Sequence, residues 1–339
     1  MGVRAAVLAV DAGNSKTDVA FVGVDGSVLA SARGDGFQPP RAGVRAAVDA
    51  LAATVGEALS QAAARGAPIG RVEHVSACLA NADLPVEERE LTAALEARAW
   101  GLSTEVRNDA FAVLRAGLQQ DAEPRGVAVV CGAGINCVGM LPDGRTARFP
   151  AIGRISGDWG GGSGLAEEAL WFGARAEDGR GEPTELARAL PAHFGLDSMY
   201  ALIEALHLGR VASARKHELT PVLFATSAGG DPVARSLVHR LAEEVVAMST
   251  VALGRLGLLD EEVPVVLGGS VLSARHPELD ERIGELLAAK APKAVVEVVS
   301  AQPVLGAALL GLDRTGATPE ARARLRAHYA GPRGQTADA

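Results

Sequence analysis

"VLAVDAGNSKTDVAFVGVDG", residues 7–26, places a short turn of acidic, glycine, lysine and hydroxyl residues between two apolar runs. The apolar runs at 5–10, 18–24 and 27–32 are short and rich in valine, which is typical of strands. Asp25-Gly26, between the last two runs, is a strong signal for a tight hairpin. We therefore predict a three-stranded meander near the start of the chain.

The same pattern returns at residues 126–149, "GVAVVCGAGINCVGMLPDGRTARF". It again has an apolar run, a glycine-rich turn, a second apolar run, Asp143-Gly144 and a third run. The two copies lie roughly 120 residues apart, which is too far for a solenoid repeat. The duplication predicts two related domains, which agrees with a length of 339 residues.

The segments around the two meanders alternate between strand and helix patterns, so we predict an α/β protein. Residues 163–257 are mostly helical in pattern. The other predicted helices are 44–64, 87–99, 110–118 and 303–312, and the other predicted strands are 72–80, 104–109, 263–271 and 293–300.

The composition narrows the range of partners and compartments. A net charge of −8 and a pI near 5.5 argue against nucleic acid and anionic membranes as partners. The three cysteines form no C-x-x-C pair, which favours reduced thiols. Because neither a signal peptide nor an apolar membrane span is recognisable, we expect a cytoplasmic protein.

The turn after the first strand has the chemistry of a phosphate site. Backbone N–H groups of a glycine-rich turn can converge on an anion, and an acid at a strand end can hold Mg²⁺ through water. Asp11 is the predicted metal-binding residue, and a strand after the turn excludes a P-loop. A tight hairpin with a solvated lysine explains this first copy equally well. The predicted nucleotide-binding residues here are Asp11, Gly13, Asn14, Ser15, Lys16 and Thr17.

Two later glycine turns add weight to the phosphate hypothesis. Both follow buried strands, and glycine allows a ligand to approach the backbone closely. The first would hold phosphate and the second a flat group such as adenine. The predicted nucleotide-binding residues in them are Gly132, Ala133, Gly134, Gly268, Gly269 and Ser270.

The order of these motifs resembles the sugar kinase, heat-shock-70 and actin superfamily. Within it, residues 5–315 resemble the BadF/BadG/BcrA/BcrD ATPase family, which includes N-acetylglucosamine and glucosamine kinases. The resemblance implies two actin-like (ribonuclease H-like) domains with a nucleotide cleft between them. It also implies ATP and Mg²⁺ as cofactors, a small-molecule amino sugar as partner, and a homodimer.

The resemblance places the catalytic base at Asp109, in "VRNDAF". A carboxylate at a strand end can accept the proton of a sugar hydroxyl during phosphoryl transfer. The alternative is that Asp109 only caps the following helix.

The sugar contacts implied by the resemblance are spread along the chain. Asp158 lies in "GRISGDWGGGSG" (153–164) and could accept hydrogen bonds from hydroxyls; the order of the motifs favours this over the alternative of a turn residue. The predicted substrate-binding residues are Gln38, Asn108, Asp109, Asn136, Asp158 and Glu167.

Two departures from the family pattern affect the expected sites. The usual G-T-G-S phosphate motif reads Gly132-Ala133-Gly134-Ile135, so contacts there must come from backbone N–H groups. Gln38 stands in a loop where many N-acetylglucosamine kinases carry asparagine. This change, together with the acids Asp158, Glu167 and Glu168, favours glucosamine as substrate.

The predicted organisation is an N-terminal actin-like domain (1–112 plus 303–325), a C-terminal one (113–302) and a partly disordered tail (326–339). The predicted function is ATP-dependent phosphorylation of the 6-hydroxyl of glucosamine. N-acetylglucosamine kinase is the first alternative, and ATPase activator of a 2-hydroxyacyl-CoA dehydratase is the second. A non-enzymatic sugar sensor is a further alternative, which the acidic charge disfavours because such regulators usually bind DNA.

Overall fold

A computed structural model describes residues 5–119 and 123–331 of the chain. Two compact units are present. The first unit comprises the residues up to 128, residues 138–150 and the residues from 299 onward. The second unit comprises residues 129–137 and 151–298.

The first unit is built on a five-stranded sheet with the order β3-β2-β1-β4-β5. Strands β1, β2 and β3 pair antiparallel, whereas β4 pairs parallel to β1, and β5 pairs parallel to β4. Its elements are β1 (Ala5–Ala12), β2 (Lys16–Gly23), β3 (Val28–Asp35), α1 (Pro39–Ala42), α2 (Val44–Ala64), β4 (Val72–Leu79), α3 (Pro85–Glu96), β5 (Gly101–Asn108) and α4 (Ala110–Gly117), followed late in the chain by α12 (Pro303–Arg314) and α13 (Pro319–Ala330).

Helices cover both faces of this sheet, which explains why its central strand is apolar throughout. Every residue of β1 is buried. Its alternating side chains join two separate cores, one that includes residues of α2 and α3 and another that includes residues of α12. Burial on both faces is what a near-continuous run of Val, Ala and Leu predicts.

Helix α12 lies unusually close to its neighbours because it carries glycine where they touch. A Cβ on Gly306 would lie 1.8 Å from the carbonyl oxygen of Ala112, and one on Gly311 would lie 2.4 Å from Val7 Cγ1. The run "PVLGAALLGL" therefore uses its small residues to pack against α4 and β1.

The second sheet also has five strands, in the order β10-β9-β6-β7-β8. Read from β8, this order repeats that of the first sheet, which confirms the duplication predicted from the sequence. Its strands are β6 (Gly126–Cys131), β7 (Ile135–Met140), β8 (Thr146–Arg148), β9 (Val263–Gly268) and β10 (Ala294–Val298).

Residues 163–257 are mainly helical, as predicted. The longest helix, α9, begins at Pro232 after the cap Asp231 and ends at the left-handed Gly257. The helices are α5 (Gly161–Glu177), α6 (Leu186–His193), α7 (Met199–His207), α8 (Leu219–Ala228), α9 (Pro232–Leu256), α10 (Ser270–Ser273) and α11 (Pro277–Lys290), with 3₁₀ turns at Gly153–Ser156 and Ser213–Glu218.

Two local predictions need correction. Residues 326–330 were assigned to the tail but complete α13, because Leu325 is buried and Tyr329 packs against the α12 core; residues 332–339 lie outside the described part. Lys16 and Thr17 belong to β2 rather than to the turn. Among the described residues, no helix is long and apolar enough to cross a membrane.

Candidate active site

The candidate site of the first unit lies where three parallel strands end. Ala12 of β1 pairs with Leu79 of β4, which pairs with Asn108 of β5, so the three strands end in one row. Asp109 follows this row directly, and its N–H donates to the Leu79 carbonyl at 3.3 Å. Ligands of α/β proteins bind beyond the carboxyl ends of parallel strands, which is where this row lies.

Asp109 stands at the N-cap position of α4, where the capping role was its alternative explanation. Its backbone is already helical, and its side chain makes no capping hydrogen bond within the described chain. Asn108 takes that role, since its Oδ1 accepts from the Ala110 N–H at 2.9 Å. Burial raises the pKa of Asp109 to about 6. A carboxylate with this pKa is suited to general-base chemistry near neutral pH.

Asn108 is committed to contacts inside the protein. It is 2 % exposed, and its Nδ2 donates to Asp83 Oδ1 at 2.7 Å. Direct contact between Asn108 and a sugar stays a prediction, but these bonds favour a positioning role beside Asp109.

Asp11 lies one residue before the end of β1 and is nearly buried. Burial raises its pKa well above the usual value, and the charges of Asp109 and Asp18 raise it further. Lys16 and Arg33 act in the opposite direction. A divalent cation would relieve this excess of negative charge, so the residues present fit Mg²⁺.

Few protein ligands are available for such a cation. Within residues 5–119 and 123–331, no group of three or more His, Cys, Asp or Glu residues could hold a metal. Mg²⁺ commonly binds through one or two carboxylates, with water and phosphate completing its shell. Asp11 is the residue we assign to it.

The turn after β1 is held by a loop and by a residue that sequence analysis missed. Phe37 N–H donates to the Gly13 carbonyl at 2.8 Å, and Gln38 Nε2 donates to the Asn14 carbonyl at 2.7 Å. Asn81 Nδ2 donates to Asn14 Oδ1 at 3.0 Å. Asn81, two residues after the end of β4, has a left-handed backbone (φ 63°). A polar residue at the end of a predicted parallel strand is the signal that could have identified it.

Thr17 differs from its predicted role. It is 2 % exposed, and its hydroxyl donates to the Asp35 carbonyl at 2.7 Å. The hydroxyl proton is therefore used within the hairpin, which disfavours a phosphate contact. Lys16 and Ser15 remain exposed beside the turn.

The glycine turn of the second unit is supported from behind by the start of α5. Gly162 N–H donates to the Gly132 carbonyl at 2.7 Å, and Ser163 N–H donates to the Ala133 carbonyl at 3.0 Å. A Cβ on Gly161, where φ is 72°, would lie 2.6 Å from the Ala133 carbonyl oxygen. Only glycine fits there without displacing the turn.

The front of this turn is open. A Cβ on Gly132 or Gly134 would meet no atom of the described residues within 4 Å. The N–H groups of Ala133 and Gly134 make no hydrogen bond within the described chain. These N–H groups can therefore bind an anion. Backbone contacts of this kind are needed because the hydroxyl side chains of the usual G-T-G-S motif are absent here.

The third glycine turn passes close to the first strand of the second meander. Gly269 has φ 83°, and a Cβ there would lie 2.5 Å from the carbonyl carbon of Cys131. Gly268 ends β9, and Ser270 begins α10 and is exposed. These three predicted residues therefore lie next to the strand that leads into the Gly132 turn.

Asp158 organises the loop before α5. Its Oδ2 accepts from the Gly153 N–H at 3.0 Å and from the Ser156 hydroxyl at 2.5 Å. The next residue, Trp159, is 7 % exposed and stacks under Arg240, with 4.2 Å between the guanidinium carbon and the ring centroid. The bonds of Oδ2 are those of a turn residue, and a sugar contact through the other oxygen stays a prediction.

Two of the three acids predicted to attract an ammonium group are paired with basic residues. Glu167 is exposed and lies 3.4 Å from Lys216 Nζ, and Glu168 forms an ion pair with Arg154. Asn136 Oδ1 accepts from the N–H of Cys137 at 2.7 Å. Glu167 and Glu168 are therefore balanced by basic partners, whereas burial raises the pKa of Glu244 and the charges of Glu243 and Asp158 raise it further.

The cysteines are core residues. Cys78, Cys131 and Cys137 are at most 1 % exposed, and burial raises the pKa of Cys131 to about 12. The pKa values of the other two thiols are also raised by burial. Buried neutral thiols do not resemble the thiolate ligands of an iron–sulfur cluster.

The two sheets, with acids at the strand ends of the first and an open glycine turn in the second, define an actin-like α/β fold of the type found in sugar kinases. The model of the BadF/BadG/BcrA/BcrD ATPase family matches residues 8–311. The chain belongs to this family.

Two curated relatives give more detail about the family. The chain is 26 % identical over 210 residues to N-acetyl-D-glucosamine kinase of Dictyostelium discoideum, covering 61 % of this chain and 65 % of that protein. It is 27 % identical over 176 residues to N-acetylmuramic acid/N-acetylglucosamine kinase of Clostridium acetobutylicum, covering 52 % of this chain and 56 % of that protein. The matches thus span less than two thirds of either relative.

Solved structures show the same fold. A candidate N-acetylglucosamine kinase from Chromobacterium violaceum matches with a TM-score of 0.65 and 24 % identity, covering 91 % of this chain and 99 % of that one. A ROK hexokinase from Thermus thermophilus matches with a TM-score of 0.57 and 19 % identity, covering 92 % and 99 %. A ROK glucokinase from Streptomyces griseus, solved with glucose and AMPPNP, matches with a TM-score of 0.53 and 17 % identity, covering 90 % and 98 %.

Proposed function

We propose that the protein is an ATP-dependent kinase that phosphorylates the 6-hydroxyl of an amino sugar. The observation that carries this proposal is Asp109, which lies at the carboxyl end of β5 with a pKa near 6 and no capping role. Asp109 would accept the proton of the sugar hydroxyl while the hydroxyl oxygen attacks the γ-phosphorus and ADP leaves.

The remaining residues have binding roles. Asp11 would hold Mg²⁺, which neutralises charge on the ATP phosphates when bound. The turn Gly13–Ser15 with Lys16, and the N–H groups of Ala133 and Gly134, would contact phosphate oxygens. Gly268, Gly269 and Ser270 would leave room for the adenine. Gln38, Asn136 and the free oxygen of Asp158 would contact the sugar.

N-acetylglucosamine is the first substrate to test, ahead of the glucosamine favoured by the sequence. The preference for glucosamine rested on acids near an ammonium group, and Glu167 and Glu168 are paired with basic side chains. The two curated relatives are named as kinases of acetylated amino sugars. Glucosamine is the second candidate. The buried cysteines give no support to the dehydratase activator.

The test is ADP release with Mg²⁺-ATP and N-acetylglucosamine, glucosamine, glucose or no sugar, followed by ³¹P NMR of the product. The proposal expects rapid ADP release with one amino sugar and a 6-phosphate product. ADP release that is the same with and without every sugar would refute it.

A further inference from the structure

A pocket of about 230 Å³ lies in the first unit and is lined by residues of β5, α12 and the β7–β8 hairpin. We call it the β5–α12 pocket. Among the described residues that line it, none is assigned above to ATP, Mg²⁺ or the sugar. Because a water molecule takes about 30 Å³ in the liquid, this volume suits a ligand of about eight non-hydrogen atoms or fewer.

One part of the β5–α12 pocket is apolar. Met140 ends β7, Leu141 and Pro142 follow it, and Leu310 comes from α12. Met140 and Leu141 are buried, whereas Pro142 is exposed, so this apolar part extends from the core to the surface. It favours a hydrocarbon chain on the ligand, since burial there would remove the chain from water.

The charged residues of the pocket leave one positive charge unmatched. Glu105 and Asp313 line the pocket, and each has a basic partner. Arg107 Nη2 lies 2.7 Å from Glu105, and Arg115 Nε lies 2.7 Å from Asp313. Arg314, at the end of α12, lines the pocket and makes no hydrogen bond or ion pair among the described residues. In a protein of net charge −8, this pocket therefore favours an anion.

The hydrogen-bond donors of the pocket are also partly unused. Nε and Nη2 of Arg107 both donate to Glu105 Oε1, at 3.1 and 2.7 Å. Its Nη1 makes no hydrogen bond within the described chain. Arg314 and Thr146 are exposed at the same pocket. A guanidinium binds a carboxylate through two parallel hydrogen bonds, so Arg314 has the geometry as well as the charge to hold one.

The pocket lies beside the strand that carries the proposed catalytic base. Arg107 precedes Asp109 by two residues in the chain. Its guanidinium carbon lies 5.6 Å from the ring centroid of Phe111, which follows Asp109 by two residues. A ligand that binds Arg107 would thus contact β5 directly before its functional end.

We propose that the β5–α12 pocket binds a short-chain carboxylate. Arg314 and Nη1 of Arg107 hold the carboxylate, and the apolar part of the pocket takes the hydrocarbon chain. A carboxylate is favoured over inorganic phosphate because phosphate has no group to place against the apolar part. The inference concerns binding alone and does not depend on the proposed kinase function.

The test is isothermal titration of the full chain with butyrate, in wild type, Arg314→Gln and Arg45→Gln. Arg45 is an exposed residue of α2 that does not line this pocket, so it is the matched control for charge. We expect saturable binding of one butyrate in wild type and in Arg45→Gln. Arg314→Gln should bind roughly tenfold more weakly, as for loss of one charged hydrogen bond. Arg314 is exposed, so the Tm without ligand should be the same in all three proteins.

A series of ligands tests the two parts of the pocket separately. From acetate through propionate to butyrate, each added methylene should tighten binding by up to about fourfold, because it is buried against the apolar part. Butyramide has the same size as butyrate without its charge, and it should not bind measurably. Inorganic phosphate should bind more weakly than butyrate.

Four outcomes would overturn the inference. They are absence of saturable butyrate binding, equal affinity in wild type and Arg314→Gln, equal affinity for butyrate and butyramide, and tighter binding of phosphate than of butyrate. The last would assign the pocket to inorganic anions. Failure of the proposed kinase function would appear in the turnover assay instead and would leave these titrations unchanged.

Discussion

Asp109 joins two properties that a structural acid rarely has together. Its carboxyl group is desolvated enough to raise its pKa to about 6, yet it makes no helix-capping bond in the described structure. Asp109 is half-buried, and taking a charge partly out of water without a capping bond costs stability. At the scale of the residue, a chemical role explains it best.

The first prediction concerns pH. A general base must be deprotonated, so kcat/KM should rise as pH increases through about 6 and stay constant above it. The measurement is kcat/KM for the amino sugar from pH 5 to 9. A profile that is flat across pH 6 would contradict the assignment of Asp109.

The second prediction concerns stability. Because folding raises the pKa of Asp109, the folded protein holds its proton more tightly, and stability decreases as pH rises through the window that ends near 6. Asp109→Asn removes this penalty. Its Tm should exceed that of wild type at pH 8, and the difference should shrink near pH 4. Equal Tm values at pH 8 would show that the carboxyl is not desolvated.

The third prediction concerns Asp11. Asp11→Asn should raise the Mg²⁺ concentration for half-maximal activity about tenfold or more, because it removes a charged ligand. Its Tm should not fall, since the variant also removes a buried charge whose pKa is raised. Asp49→Asn, an exposed acid on α2, is the control. An unchanged Mg²⁺ requirement would show that Asp11 does not hold the metal.

At the scale of elements, glycines determine how closely helices approach the strands and turns. Gly306→Ala should destabilise the protein by about 1–3 kcal/mol or more, because the added Cβ would lie 1.8 Å from a backbone oxygen of α4. Gly284→Ala on α11 is the matched control, since its Cβ meets no described atom within 4 Å and should stabilise the helix slightly. Urea unfolding measures both. Equal stabilities would contradict the close packing of α12.

The Gly132 turn gives a functional counterpart. Gly161→Ala should raise the KM for ATP severalfold, because the added Cβ would displace the Ala133 carbonyl. The alanine would also have to adopt a φ of 72°, which is strained for any residue with a side chain. Gly164→Ala, in the same helix with open space, should leave KM unchanged. Similar KM values in the two variants would show that this turn does not bind the nucleotide.

Sequence reasoning located most elements because valine-rich runs and turn residues have strong local signals. It placed Lys16 and Thr17 in a turn because these polar residues continue the polar run of Asn14 and Ser15. Their place in β2 follows only from the pairing of Thr17 with Gly34, which is distant in sequence. It missed Asn81, whose role depends on the parallel pairing of β1 with β4. It did not foresee the ion pair of Glu167 with Lys216, because Lys216 is distant in sequence. Contacts between distant residues are what a local pattern cannot contain.

At the scale of the whole molecule, the duplicated strand order is the feature that the sequence predicted best. In both sheets a three-stranded meander lies next to two further strands. The family model matches residues 8–311, which include both sheets. The duplication provides two glycine turns. Within the described residues, the first sheet carries Asp11 and Asp109 at parallel strand ends, whereas β9 and β10 of the second sheet end at Gly268 and Val298. This asymmetry supports separate roles for the two units, with the base in the first and an open phosphate turn in the second.

The most direct test is kcat/KM for N-acetylglucosamine and for glucosamine with Mg²⁺-ATP, in wild type, Asp109→Asn and the surface control Asp49→Asn. The account predicts that wild type and Asp49→Asn phosphorylate an amino sugar, whereas Asp109→Asn, still folded, loses about 10²–10⁴-fold. Full activity in Asp109→Asn, or no sugar-dependent turnover in wild type, would contradict it.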